Sequence, residues 1–190
     1  VVREALARLR DDGLIISRRG SGSYVTQRPD EAVLKFSPLG SIADIQRCFE
    51  FRVDLEGAAA ARAAERWEGA DLADIHAAYE ELEACIRNAE LGVEADAKLH
   101  LAIARATHND YHLSTQLTLQ SHIKVGMNVT RNISIRRPVS RLRLVQNEHA
   151  AIIAAIEQRA PSQAREAMQT HLEKARMRMF EGSSENQQDH

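Results

Sequence analysis

Histidines fall on the apolar stripes of two predicted helices, and this feature restricts the possible folds more than any other. The first stripe consists of Leu142, Val145, His149, Ile152 and Ile156, and the second of Ala164, Ala167, Met168, His171 and Ala175. Residues three and four apart share one face of a helix, so both histidines should point into a core. A chain with this pattern has to bury imidazole rings between packed helices, and buried polar rings need partners.

A third helix supplies a matching pair of polar side chains. Asp96 and His100 stand four residues apart in the stretch EADAKLHLAIARA, which places them one turn apart on one face. One carboxylate and three imidazoles from three inward faces form a ligand set for a divalent metal, first zinc, then nickel, manganese or iron. The sequence therefore predicts a metal site at Asp96, His100, His149 and His171. Taken singly, each histidine is more typical of a core residue bonded to a neighbour.

Composition favours a mainly α fold. Of the 190 residues, 44% are hydrophobic, only 4% are aromatic and four are proline. We expect helices near 41–67, 70–90, 93–107, 110–134, 139–159 and 162–181. Helices of this number and length fit an antiparallel bundle of six or seven helices.

Two absences indicate where such a protein works. The sequence has no run of about 18 apolar residues and no signal-peptide pattern, so we expect no membrane segment. Cys48 and Cys85 are isolated from each other, as in reduced cytosolic proteins. The sequence therefore predicts a cytoplasmic protein.

The first 28 residues differ from the rest in charge. They carry six arginines against three acidic residues, a net of +3, whereas the remainder carries 19 basic against 24 acidic residues, a net of −5. A basic head on an acidic body indicates a polyanion partner for the head, although a chance surface bias would give the same balance.

The pattern of the head is that of a winged helix. VVREALARLRDDGLI is a short amphipathic helix, and two β-prone runs follow, Leu14–Ser17 and Ser23–Thr26, joined by RRGSG. Helix, strand, turn and strand form the end of a winged helix-turn-helix, which binds DNA through a helix in the major groove. Because Val1 stands inside the helical pattern, we expect the upstream helices to be missing or unobserved.

These patterns predict four segments. We expect a partial winged helix-turn-helix over 1–28, a linker over 29–40, a helical metal- and effector-binding domain over 41–181, and a disordered polar tail over 182–190.

The motifs resemble those of one family of regulators. VVREALARLRDDGLIISRRGSGSYV resembles the tail of the GntR-family winged helix, and the body resembles the FadR-subfamily effector domain, called FCD. The second resemblance rests on FRVDLEGAAAARAA, DAKLHLAIARATHN, EHAAIIAAI and AMQTHLEKA, and it covers nearly all of residues 41–180. It implies a divalent metal on the same Asp and three His.

The resemblance also implies effector contacts. Arg52 matches an arginine that faces the metal cavity, with an ion pair to Glu56 as the alternative. Asn109 matches an Asn of the family, with a helix cap as the alternative. From the residues alone, Arg143 is a candidate for the cavity mouth or for a solvated face. The candidate DNA contacts are Arg3, Arg18, Arg19, Gly20 and Gly22.

The sequence thus predicts a ligand-responsive transcription factor and not an enzyme. We expect a homodimeric repressor that binds operator DNA and senses a small organic acid, because a carboxylate can replace water on a metal with open positions. The alternatives are a metal-dependent hydrolase or lyase and a metal sensor. No general base stands out beside the site, and a hydrolase needs no basic winged helix.

Overall fold

The protein divides into two compact units. The computed structural model describes residues 2–11, 15–18, 20, 22–25, 41–88, 90, 92–131 and 139–181. Contacts between Cα atoms separate residues 1–37 from residues 38–190, a division that falls within the predicted linker. The linker 29–40 and the tail 182–190 lie outside the described residues.

The first unit contains one helix and a two-stranded sheet among its described residues. Its elements are α1 (Val2–Asp11), β1 (Ile15–Arg18) and β2 (Gly22–Val25). The strands pair antiparallel, with Ile15 opposite Val25 and Arg18 opposite Gly22. Gly20 has φ +79°, a left-handed conformation that glycine adopts without steric cost. The predicted order of helix, strand, turn and strand is confirmed.

The described residues of the second unit form six helices. They are α2 (Ile42–Arg66), α3 (Gly69–Arg87), α4 (Val93–Arg105), α5 (Asp110–Arg131), α6 (Val139–Glu157) and α7 (Pro161–Glu181). The predicted bounds that fall on described residues agree with these to within three residues. The mainly α fold is confirmed.

The helix pairs α2/α7 and α3/α4 of this bundle run antiparallel. Along α2 and α7, Phe49 lies near Ala175, and two turns further Gly57 lies against Gln169. A Cβ added at Gly57 would come 2.8 Å from Gln169 Cγ, so the missing side chain allows the two helices to approach closely. Between α3 and α4, Lys98 Nζ lies 2.5 Å from Glu81 Oε1.

Small and branched side chains fill the core of the bundle. Its largest fully buried members include Ile75, Leu99, Ile103, Ile152, Ile156, Met168 and Leu172, packed around the alanines of α2. At one end, the Trp67 indole donates a hydrogen bond to the Ile156 carbonyl at 2.9 Å, joining the ends of α2 and α6. Among the described helices, none combines the length and apolarity needed to cross a bilayer.

The start of α4 positions the first two predicted ligands. Gly92 precedes the helix with φ +61°, and a Cβ there would come 3.2 Å from both Leu82 and Cys85. The Gly92 carbonyl accepts the Asp96 N–H at 2.8 Å, the first hydrogen bond of the helix. Glycine therefore lets α4 begin close against α3, one turn before Asp96 and two turns before His100.

A substitution at Ile75 tests how much the packing of this core contributes to stability. Its side chain is fully buried on α3, so Ile75→Ala should lower the free energy of unfolding by about 2–5 kcal/mol through lost burial and a residual cavity. Leu144→Ala is the matched control, since Leu144 is 61% exposed and its truncation should change stability by about 0.5 kcal/mol or less. Urea unfolding measures both, and equal losses would contradict the packing.

Candidate metal centre

The four predicted ligands converge at one point inside the bundle. Asp96 and His100 come from α4, His149 from α6 and His171 from α7, and one potential ligand atom from each lies within 4.8 Å of all the others. The ring centroids of His149 and His171 are 4.5 Å apart. His149 Nε2 lies 3.3 Å from Asp96 Oδ1, and His100 Nε2 lies 3.9 Å from Asp96 Oδ2.

Each histidine uses its Nδ1 atom on an acceptor from the bundle. The pairs are His100 with Glu56 Oε2, His149 with Gln146 Oε1 at 3.4 Å, and His171 with Glu148 Oε2 at 3.0 Å. An acceptor at Nδ1 fixes the proton there and leaves the Nε2 lone pair free. Such outer partners orient and strengthen histidine ligands in metal sites.

Two of these acceptors are carboxylates, and each is held in turn by an arginine. Arg52 Nε lies 2.6 Å from Glu56 Oε1, with both side chains buried. On the other side of the site, Arg178 places Nη1 and Nη2 at 2.8 and 2.9 Å from the two oxygens of Glu148. A buried carboxylate is costly without such a partner, so the arginines allow negative charge to stay beside two of the rings.

These contacts shift the pKa values of the charged groups. Burial alone would raise the pKa of Glu56, but Arg52 and His100 outweigh it and lower the value to about 2. Glu148 is likewise lowered to about 2, because its hydrogen bonds to His171 and Arg178 outweigh its burial. Asp96 also has a lowered pKa, since its contacts with the histidines outweigh burial. All three groups are therefore carboxylates at neutral pH.

The pKa values of His171 and His100 shift in opposite directions. Burial lowers the pKa of His171 to about 4, despite its hydrogen bond to Glu148. For His100, burial acts in the same direction, but the charge and hydrogen bond of Glu56 overcome it and leave the pKa above its usual value. A metal needs the Nε2 lone pair, so it competes with a proton for this atom of His100, and metal affinity should fall as the pH falls.

The donor set fits a divalent metal. Among the described residues, four buried side-chain atoms have no hydrogen-bond partner, and two of them are His100 Nε2 and His149 Nε2. Both belong to rings that contact Asp96, which supplies an oxygen ligand at the same point. Unpaired buried nitrogens are rare in proteins, and three imidazoles with one carboxylate are typical ligands of zinc and related metals.

An open groove reaches the outer side of this site. It has a volume of about 590 Å³, lies between α6 and α7, and is lined in part by Glu148, His171 and Lys174. His171 forms part of the wall of this groove, although its ring is only 3% exposed.

Comparison with known proteins shows the family. The FCD domain family matches residues 47–174. The chain is 31% identical to the HTH-type transcriptional regulator LutR of Bacillus subtilis over 90% of the chain and 80% of that protein. It is 30% identical to an Escherichia coli K12 regulatory protein named for the L-lactate dehydrogenase operon, over 90% of the chain and 68% of that protein.

The chain belongs to the GntR family of transcriptional regulators and carries an FCD domain. A solved structure named Streptococcus agalactiae GntR has the same fold, with a TM-score of 0.61 and 23% identity over 93% of this chain and 80% of that one. The relatives are regulators and not enzymes, which confirms that prediction and sets the hydrolase alternative aside.

The predicted effector contacts of the FCD domain have other partners in the structure. Arg52 forms the ion pair with Glu56 that the sequence offered as its alternative role. The Asn109 side chain accepts the Tyr111 N–H at 3.0 Å, as a helix cap does. Arg143 pairs with Glu83 and is half-exposed. Their contacts with an effector stay predictions.

The structure describes the predicted DNA contacts only in part. Nothing is described of Arg19 or of the side chains of Arg3 and Arg18, whereas Gly20 and Gly22 are exposed and have positive φ.

Sequence reasoning missed the three acceptors at Nδ1. The sequence offered Glu56 only as a partner of Arg52, although its other carboxylate oxygen bonds to His100. Gln146 precedes His149 by three residues and so shares its helix face, a signal that was available. Glu148 serves His171 on another helix, and no local spacing indicates that contact.

Glu56 tests the role of these outer partners. Glu56→Gln keeps an acceptor for His100 but removes the negative charge, so metal affinity should fall by about ten- to a hundredfold. Glu65→Gln is the control on the same helix, because Glu65 forms an exposed ion pair with Arg62 and should leave the affinity unchanged. Competition with a chromophoric chelator measures both. Equal affinities in the two variants would contradict a role for Glu56.

Proposed function

We propose that this GntR-family regulator responds to a small organic acid that binds a divalent metal in its FCD domain. The metal would be held by Asp96, His100, His149 and His171, with zinc as the first candidate and nickel, manganese or iron as alternatives. The observation that carries the proposal is the pair of buried, unpartnered Nε2 atoms of His100 and His149 beside Asp96.

The chemistry of such a centre favours a carboxylate as the signal. Four protein ligands leave a position open when the metal expands its coordination, and a carboxylate oxygen can fill it in place of water. Arg52 adds a positive charge beside the metal position, because its guanidinium interacts electrostatically with Asp96 and supports His100 through Glu56. The name of the L-lactate dehydrogenase operon regulator supports a small acid as the class of ligand.

The signal must then reach DNA. We propose a homodimer in the cytoplasm, because one small winged helix makes few contacts and family members bind paired half-sites. Arg3, Arg18 and Arg19 would contact operator phosphates or bases, and Gly20 and Gly22 would shape the wing. The acid can change the affinity for DNA only if it binds one arrangement of the two bundles more tightly than another. In a repressor, the arrangement that the acid favours would bind the operator less tightly.

Acid binding to metal-loaded and metal-free protein tests the proposal. L-lactate and a panel of other two- to six-carbon acids are titrated calorimetrically. At least one acid should bind the loaded protein, and removing the metal should weaken it by about a hundredfold or more, since a direct metal contact is lost. Asp96→Ala should have the same effect as metal removal.

The control for Asp96→Ala is Asp74→Ala. Asp74 is exposed on α3 and only loosely paired with Arg105 at 3.8 Å, so its removal should leave acid binding intact. Equal affinity of an acid for loaded and metal-free protein would place the effector elsewhere and leave the metal a structural role.

A further inference from the structure

Two buried atoms without partners remain after the metal centre is accounted for. Of the four such atoms in the described part of the chain, His100 Nε2 and His149 Nε2 face the metal position, and the others are His112 Nδ1 and Gln116 Nε2 on α5. His112 is only partly buried, whereas Gln116 is 2% exposed. The Gln116 amide is therefore a buried hydrogen-bond donor with no acceptor among the described residues.

The way α5 packs against α4 places Gln116 close to the turn of α4 that carries the metal ligands. Gln120 donates from Nε2 to the Ala97 carbonyl at 2.6 Å, and Ala97 directly follows Asp96. The two helices pack together and are joined at their other ends by residues 106–109, so they run antiparallel. One turn back from Gln120 on α5 corresponds to one turn forward from Ala97 on α4. Gln116 thus comes opposite the turn that carries His100.

The charges on α2 that act on α5 indicate the same direction. His112, one turn before Gln116, lies near Arg62 and Arg66 in the last turns of α2. Moving one turn along α5 therefore leads back along α2 towards Glu56, the partner of His100. The neighbours of Gln116 on α5 are also buried, Thr115 at 9% and Leu119 at 2% exposure, so this face of the helix points into the bundle.

We infer that Gln116 is a specificity-determining residue of the effector site, which donates its amide N–H to a second oxygen of the acid bound at the metal. The inference rests on the proposed function. The carboxylate would occupy the metal, and the amide would select acids that carry a further oxygen acceptor, a hydroxyl or a carbonyl. A site that buries an unpaired donor discriminates strongly against ligands lacking the matching group.

A matched pair of acids and a matched pair of variants test the inference. L-lactate carries a hydroxyl beside its carboxylate, and propionate is the same acid without it. Gln116→Met keeps the length of the side chain and removes the amide. Gln120→Met makes the same change one turn along, where the amide bonds to the Ala97 carbonyl.

In metal-loaded wild type, L-lactate should bind more tightly than propionate. Gln116→Met should reduce L-lactate affinity by about tenfold or more and leave propionate affinity unchanged, so the preference is lost. Gln120→Met should lower the melting temperature but preserve the preference. The metal content of both variants, measured by elemental analysis, should equal that of wild type.

The melting temperature without acid supplies an independent readout. Because the Gln116 amide has no hydrogen-bond partner in the described part of the chain, Gln116→Met should leave this temperature unchanged or raise it. A fall of several degrees would show that the amide is bonded within the fold and would overturn the inference. An undiminished L-lactate preference in Gln116→Met would overturn it while leaving the metal-bound acid in place. If wild type binds neither L-lactate nor propionate, this inference fails, and the wider acid panel decides the proposed function separately.

Discussion

The orientation of three buried histidine rings is the constraint on which the rest of the FCD domain depends. Helix periodicity brings His100, His149 and His171 to one point, but it does not decide which ring nitrogen faces that point. The acceptors at Nδ1 decide it, and they are Glu56, Gln146 and Glu148. With Nδ1 occupied, the Nε2 atoms of His100 and His149 face Asp96 without other partners.

This arrangement couples the metal centre to the assembly of the bundle. The ligands lie on α4, α6 and α7, while Glu56 and Arg52 come from α2, so four helices must pack before the site is complete. Arg178, near the end of α7, holds Glu148 of α6. Removing Arg52 would leave the buried Glu56 carboxylate with less compensation, and removing Arg178 would do the same to the partly buried Glu148; either loss is more damaging than losing an exposed ion pair. Metal binding should therefore also stabilise the fold.

Much of this fold could be predicted from the sequence. A 3.6-residue period of apolar side chains is a local signal, and it located the helices and the inward faces of His149 and His171. The same spacing placed Asp96 and His100 on one face. Contacts between helices leave no such signal. The bond from Glu148 to His171, for example, depends on how α6 packs on α7, which only the folded chain determines.

The central claim is that one divalent metal binds at the point where the four side chains meet. Crystals of the protein, grown without added metal, should show one anomalous peak per chain when diffraction is measured at the absorption edge of the resident metal. For zinc, that peak should lie about 2.0–2.2 Å from Nε2 of all three histidines and from an Asp96 oxygen. The absence of a peak there after growth with added zinc, with ordered water bridging His100 and His149 instead, would contradict the account.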